Sequence, residues 1–206
     1  MDKSKIFDIP IDNITKEEAV NMAVSRIEAD IFTIVVTPNA EIIKKCIDDE
    51  NVKKAITSAH MILPDGDGTL WAAKELGVPL KEKVAGVEFG KNLIKEAAEK
   101  GFKLFLLGGK PGVAEKAAEN LKKEYQNLSI CGFSDGYFGK SGIESDKMIK
   151  KISPQAIVAL EKALSVIYWY KDDLKRYLYQ AIDHAEILSV INWSEPKRNI
   201  VARVIS

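Results

Sequence analysis

Four short apolar runs, each ending at a polar or glycine-rich break and separated from the next by a segment of helical period, constrain this fold most. They are IFTIVVTP (Ile31–Pro38), HMILPD (His60–Asp65), KLFLLGG (Lys103–Gly109) and LSICGF (Leu128–Phe133). The helical patterns run from Thr15 to Ala29, opened by the capping box Thr15-x-x-Glu18, and from Asn39 to Ser58, read as two short helices. Three more run from Gly68 to Leu76, Val87 to Lys100 and Gly112 to Tyr125. Strands separated by helices of this length pair mostly in parallel, through right-handed crossovers. The expected class is α/β, a mostly parallel sheet flanked by helices.

In such sheets ligands collect where strands end. Thr37 and Asn39 follow the first run, Asp65 ends the second, Gly108 and Gly109 end the third, and Asp135 and Tyr137 follow the fourth. Four such ends predict one cleft.

The chain of 206 residues has 30 basic and 30 acidic side chains, which points away from a nucleic-acid footprint or a polybasic membrane patch. Cys46 and Cys131 are isolated from each other and from any histidine cluster, so neither a disulfide framework nor a zinc site is expected. The N-terminus MDKSKIFDIP lacks a signal-peptide core, and the longest strongly apolar run, Ala163 to Tyr170, is too short to span a bilayer. The expectation is a soluble cytoplasmic protein, at most peripheral to a membrane.

Gly108-Gly109-Lys110-Pro111-Gly112 is a strand end, a glycine turn and a helix start. That arrangement serves equally as a tight βα turn or as a cradle for a diphosphate. Asp65-Gly66-Asp67-Gly68-Thr69 has several readings. It matches the first motif of haloacid-dehalogenase-type phosphatases, but the motif follows an earlier α/β segment, Pro64 interrupts the run, and no acidic Gly-Asp-type motif comes later. As a calcium loop it fails, because position twelve is Leu76 rather than glutamate. A metal-binding Asp-x-Asp, a lone catalytic base and a plain glycine turn stay open. His60 and His184 have no cluster around them and read as packing or surface residues. Tyr137 suits either ordinary half-burial or stacking on a flat base.

Taken together, TPNAEII, LPDGDG with KELGVPLKEKVAG, KLFLLGGKPGVAEKAAENLKKEY and DGYF resemble, in order and spacing, the WecG/TagA/CpsF glycosyltransferases, family 26, over roughly residues 5 to 150. The resemblance implies a Rossmann-like enzyme at the cytoplasmic membrane face. It would transfer N-acetylmannosamine or a related sugar from a UDP donor to undecaprenyl-diphosphate-linked N-acetylglucosamine, for wall teichoic acid or a surface polysaccharide. It implies Asp65 as catalytic base with Thr37 beside it, and Asn39, Lys83, Gly108, Gly109 and Tyr137 as substrate-binding residues, with no metal and no cofactor. Asp67 falls at a variable position of the family and reads, with Thr69, as incidental. Lys83 stands where the family often has arginine, which gives up bidentate phosphate recognition. After DGYF the family continues with a strand, a Gly-x-Pro-x-Gln-Glu segment and a basic appendage, none of which is recognised here, so a truncated and inactive domain is one expectation.

All 13 glycines lie at or before Gly142, a composition shift that puts an expected boundary near Ile152–Ser153, between an α/β domain (1–152) and a helical module (153–206). Ser153-Pro154 reads as a helix start, followed by Ile157, Leu160, Leu164, Ile167, Leu174 and Leu178 at helical spacing. ALSVIYWYK…LKRYL and INW…KRNIVARV resemble the N-terminal helical domain of AbiJ-type abortive-infection proteins, which implies a protein partner. The alternatives to a glycosyltransferase are thus a magnesium-dependent phosphatase resting on Asp65 and Asp67, and a non-catalytic interaction protein related to phage defence.

Overall fold

The computed structural model describes residues 2–31, 33–108, 110–135, 156–160 and 165–168, the last two stretches as backbone. The chain opens with an antiparallel hairpin, β1 (Lys3–Ile6) and β2 (Ile9–Asp12), in which Ile6 pairs with Ile9. Phe7 and Asp8 turn it with φ of 48° and 63°. Positive φ at both turn residues matches the right-handed twist of the strands and usually calls for Asn-Gly. Ile6, Ile9 and Ile11 are wholly buried, and their packing holds a turn that Phe7 disfavours locally.

Helix α1 (Lys16–Glu28) carries the expected capping box: the Glu18 N–H donates to Thr15 Oγ1 at 3.2 Å and the Thr15 N–H to Glu18 Oε2 at 2.7 Å. The chain then alternates as β3 (Thr33–Val36), α2 (Ala40–Asp48), α3 (Glu50–Thr57), β4 (Met61–Ile62), α4 (Asp67–Glu75), α5 (Gly86–Lys100), β5 (Lys103–Leu107), α6 (Val113–Glu124) and β6 (Ser129–Ser134). Each of these elements matches a run or helical pattern expected from the sequence, with α4, α5 and β6 extending one residue beyond it.

Two further strands, β7 (Ala156–Leu160) and β8 (Ser165–Tyr168), complete a six-stranded sheet of order β4-β3-β8-β7-β5-β6. These nine residues correct the expectation of a helix from Ser153. Short runs containing Ile157, Val158, Val166 and Ile167 fit a strand as well as a helix, because periodicity does not separate the two below about ten residues. The rest of the expected helical module lies outside the described residues. Pairing is parallel for β3 with β4, β5 with β6 and β5 with β7, and antiparallel where β8 meets β7 and β3. Hence β3, β4, β5, β6 and β7 all point one way, and their carboxyl ends share one edge.

The core packs Val35, Met61, Leu63, Leu104 and Leu106 against Ala19, Val20, Ala23 and Val24 of α1, Phe89, Leu93 and Ala97 of α5, and Ala117 and Leu121 of α6. This cluster spans β3–β4 and β5 and includes Phe89, which with Phe105 is one of the two largest fully buried side chains among the described residues.

Candidate active site

Strand β3 delivers Thr37, almost wholly buried, to the shared edge. Pro38 interrupts the ladder and Asn39 caps α2, its Oδ1 accepting the Ile42 N–H at 3.0 Å. The β4 ladder continues one step, with the Leu63 N–H on Val36 O at 2.8 Å, before Pro64 and Asp65. Gly66 then turns the chain into α4 at φ 80°, a backbone region that a Cβ penalises. Asp65 thus stands between a strand end and a helix start.

The segment from Gly77 to Ala85 has no regular structure but is tied down along its length. Pro79 O accepts the Ser4 hydroxyl at 2.6 Å, Asn13 Oδ1 the Lys81 N–H at 2.8 Å, and Glu82 Oε2 donation from the Lys16 N–H at 3.0 Å. Lys81 Nζ pairs with Glu18 at 2.8 Å, and the Val84 N–H reaches Pro64 O at 2.8 Å. These anchors bring the first residue of α5 to Asp65, where the Gly86 N–H donates to Asp65 Oδ2 at 3.2 Å. A methyl group on Gly86 would lie 2.6 Å from Thr37 Oγ1, so only glycine lets the three approach. The Thr37 hydroxyl also bonds the Asp65 carboxylate.

Burial pushes the Asp65 carboxyl above its ordinary range, outweighing the opposing pull of the Gly86 and Gly66 N–H groups, the Lys83 charge and the Thr37 hydroxyl. A carboxylate with a raised pKa, oriented by the Gly86 and Gly66 N–H groups and the Thr37 hydroxyl, is suited to accept a proton.

A sequence model of the glycosyl transferase WecG/TagA/CpsF family matches residues 4–160. The chain belongs to this family. Its N-acetylglucosaminyldiphosphoundecaprenol N-acetyl-beta-D-mannosaminyltransferase from Bacillus spizizenii is 30% identical over 126 residues, 61% of this chain and 49% of the relative. The protein of that name from Bacillus subtilis is 29% identical over 134 residues, 65% of this chain and 52% of the relative. The one from Staphylococcus aureus is 30% identical over 118 residues, 57% and 45% of the respective chains. The chain spans about half the length of the curated relatives it matches. The family match reaches residue 160 and so takes in β7.

Around the Thr37–Asp65–Gly86 cluster the other family positions separate. Asn39 adjoins the turn, its Cβ 3.8 Å from where a Gly66 side chain would begin. Its Oδ1 is engaged as the α2 cap, which leaves the Nδ2 amide group outside that cap. Lys83 extends over the same turn and its Nζ meets Asp67 Oδ1 at 2.7 Å. That hydrogen bond raises the Lys83 pKa, and the ammonium charge also acts on Asp65. Gly108 has φ 134° and donates its N–H to Ser134 O at 2.9 Å, so that N–H belongs to the β5–β6 edge rather than to a phosphate. Helix α6 opens behind Gly112 without a side-chain cap. Gly109 and Tyr137 lie outside the described residues.

Sequence reasoning left three features unassigned. Gly86 was visible only as part of VAG ahead of a helical pattern. Asp67 is the partner of Lys83. Thr69 is wholly buried, with no hydrogen-bond partner for its hydroxyl among the described residues. The bland reading of His60 agrees with its place: Nδ1 accepts the Ile34 N–H at 3.1 Å at the start of β4, the edge opposite Asp65. Burial pushes the Cys46 thiol up to about 11, which keeps it protonated and unreactive. Among the described residues no group of three His, Cys, Asp or Glu side chains is arranged to hold a metal ion, and no helix is long and apolar enough to cross a membrane.

Proposed function

We propose that the chain is an inverting UDP-sugar glycosyltransferase, transferring N-acetylmannosamine to an N-acetylglucosamine linked through a diphosphate to undecaprenol, with Asp65 as general base. The observation that carries this is the Asp65 carboxylate, held at the end of β4 by the Thr37 hydroxyl and the Gly86 N–H. Asp65 takes the proton of the acceptor hydroxyl as its oxygen bonds the anomeric carbon, and the bond from that carbon to the UDP β-phosphate oxygen breaks on the opposite face. The sugar passes through oxocarbenium character, and the negative charge leaves with UDP. In this reading Lys83 neutralises that charge, and the start of α6, which has no side-chain cap, offers backbone N–H groups to the diphosphate. Asn39 Nδ2 contacts the sugar, and Tyr137 stacks on the uracil. Because the acceptor is a lipid, the enzyme works as a peripheral protein at the inner face of the cell membrane, in wall teichoic acid or surface polysaccharide synthesis.

The first test is calorimetric titration with UDP. Saturable binding is expected, with Asp65→Asn leaving the affinity nearly unchanged. No heat of binding at millimolar UDP counts against a UDP-sugar site.

A further inference from the structure

The sequence left Asp67 without a role, yet the structure gives it a specific partner. Asp67 is the first residue of α4 and lies two positions after Asp65, and its Oδ1 accepts from Lys83 Nζ at 2.7 Å. The Lys83 backbone is held close by, since the neighbouring Val84 N–H is bonded to Pro64 O at 2.8 Å. The side chain therefore reaches from a fixed point across the turn that carries Asp65. Both ends of the pair meet solvent, with side-chain exposures of 40% for Lys83 and 90% for Asp67. An ion pair this exposed contributes little to folding, and an entering anion can exchange for it.

We propose that Asp67 is an internal competitor for Lys83, setting where its ammonium rests in the empty site and weakening the hold of a nucleoside diphosphate there. The inference rests on the reading of Lys83 as a diphosphate ligand. A diphosphate that reaches Lys83 must displace the Asp67 carboxylate and then carry its own charge beside it. Both effects oppose binding. When UDP leaves, Asp67 recovers the lysine, so the pair favours release of the charged product. A glycosyltransferase gains from this because its product UDP keeps the diphosphate by which the donor was held.

Asp67 also places a negative charge in the first turn of α4, which favours the helix whatever Lys83 does. Ligand affinity separates the two roles. Titration of UDP into the full chain and its Asp67→Asn, Lys83→Gln and doubly substituted variants forms a cycle. Asp67→Asn is expected to lower the UDP Kd about threefold, the scale of an exposed ion pair, and Lys83→Gln to raise it. In the Lys83→Gln background, Asp67→Asn is expected to change the Kd by less than about twofold, since the competition is gone. Uridine, which has no phosphate, is expected to bind wild type and Asp67→Asn alike. If Lys83→Gln weakens UDP but Asp67→Asn leaves it unchanged or weakens it too, the competitor role is overturned while the UDP site stands. If Lys83→Gln has no effect on UDP, the assignment of Lys83 falls and this inference with it.

Discussion

The carboxylate of Asp65 accepts the backbone N–H of Gly86 at 3.2 Å, across 21 residues of chain. One side chain is therefore both the candidate base at the end of β4 and the group that meets the first N–H of α5. The second task fixes the orientation that the first requires, because the α5 terminus is itself held by Phe89, Leu93 and Ala97 in the core.

Gly86→Ala is expected to force Thr37 away from Asp65, because the new methyl would start 2.6 Å from Thr37 Oγ1. Overpacking at a buried contact costs about 1–3 kcal/mol, and a displacement near 1 Å at a reacting group lowers turnover by about 100-fold. Adding Thr37→Ala to Gly86→Ala should restore much of the stability, read by urea denaturation, without restoring transfer.

Asn39 has two separable tasks. Asn39→Ala loses the α2 cap and should destabilise by about 1 kcal/mol. Asn39→Asp keeps an oxygen for the Ile42 N–H but loses the Nδ2 donors. Thermal melting of Asn39→Asp near the wild-type temperature, with weakened donor affinity in calorimetry, is the expected outcome.

The Asp65 pKa makes a prediction of definite sign. Burial holds it above the value of the unfolded chain, so the folded state binds the extra proton between the unfolded and the folded pKa. Stability from this group therefore falls as pH rises through that window, and the ionised carboxylate is a net burden at neutral pH. Asp65→Asn should melt higher than wild type at pH 7, and the difference should shrink toward pH 4. Transfer by the wild type, which needs the ionised base, should rise over the window in which stability falls.

Asp12 secures the strand that presents Asp65. Its side chain is fully buried, Oδ2 accepts the Ile62 N–H at 2.7 Å, and Lys3 Nζ stands 3.1 Å from Oδ1 as an ion pair. Asp12→Ala strands a buried N–H and should cost about 1–3 kcal/mol in denaturant unfolding. Asp12→Asn, which keeps an acceptor, should cost less.

Thr37, Asn39 and Asp65 were legible because an apolar run that stops at a polar residue before a helical pattern marks a strand end, and parallel strands bring such ends together. Gly86 was not legible in that way. Its contact with Asp65 depends on a segment folded back by the side chains of Ser4, Asn13 and Glu18 and the backbone N–H of Lys16, groups distant in sequence and unremarkable in type. The β1–β2 hairpin escaped because Phe7-Asp8 lacks the asparagine and glycine that announce such a turn, and burial of three isoleucines compensates. Strands β7 and β8 were read as helix because nine apolar-rich residues in two pieces satisfy either period, and the neighbouring strands decide between them.

The most direct test of Asp65 as base is the rate of UDP release from UDP-N-acetylmannosamine in the presence of a lipid-linked N-acetylglucosamine acceptor, for wild type and Asp65→Asn side by side. The account predicts acceptor-dependent release by the wild type and a loss of about 100-fold or more in Asp65→Asn, the scale of general base catalysis. Release by Asp65→Asn at the wild-type rate would contradict it.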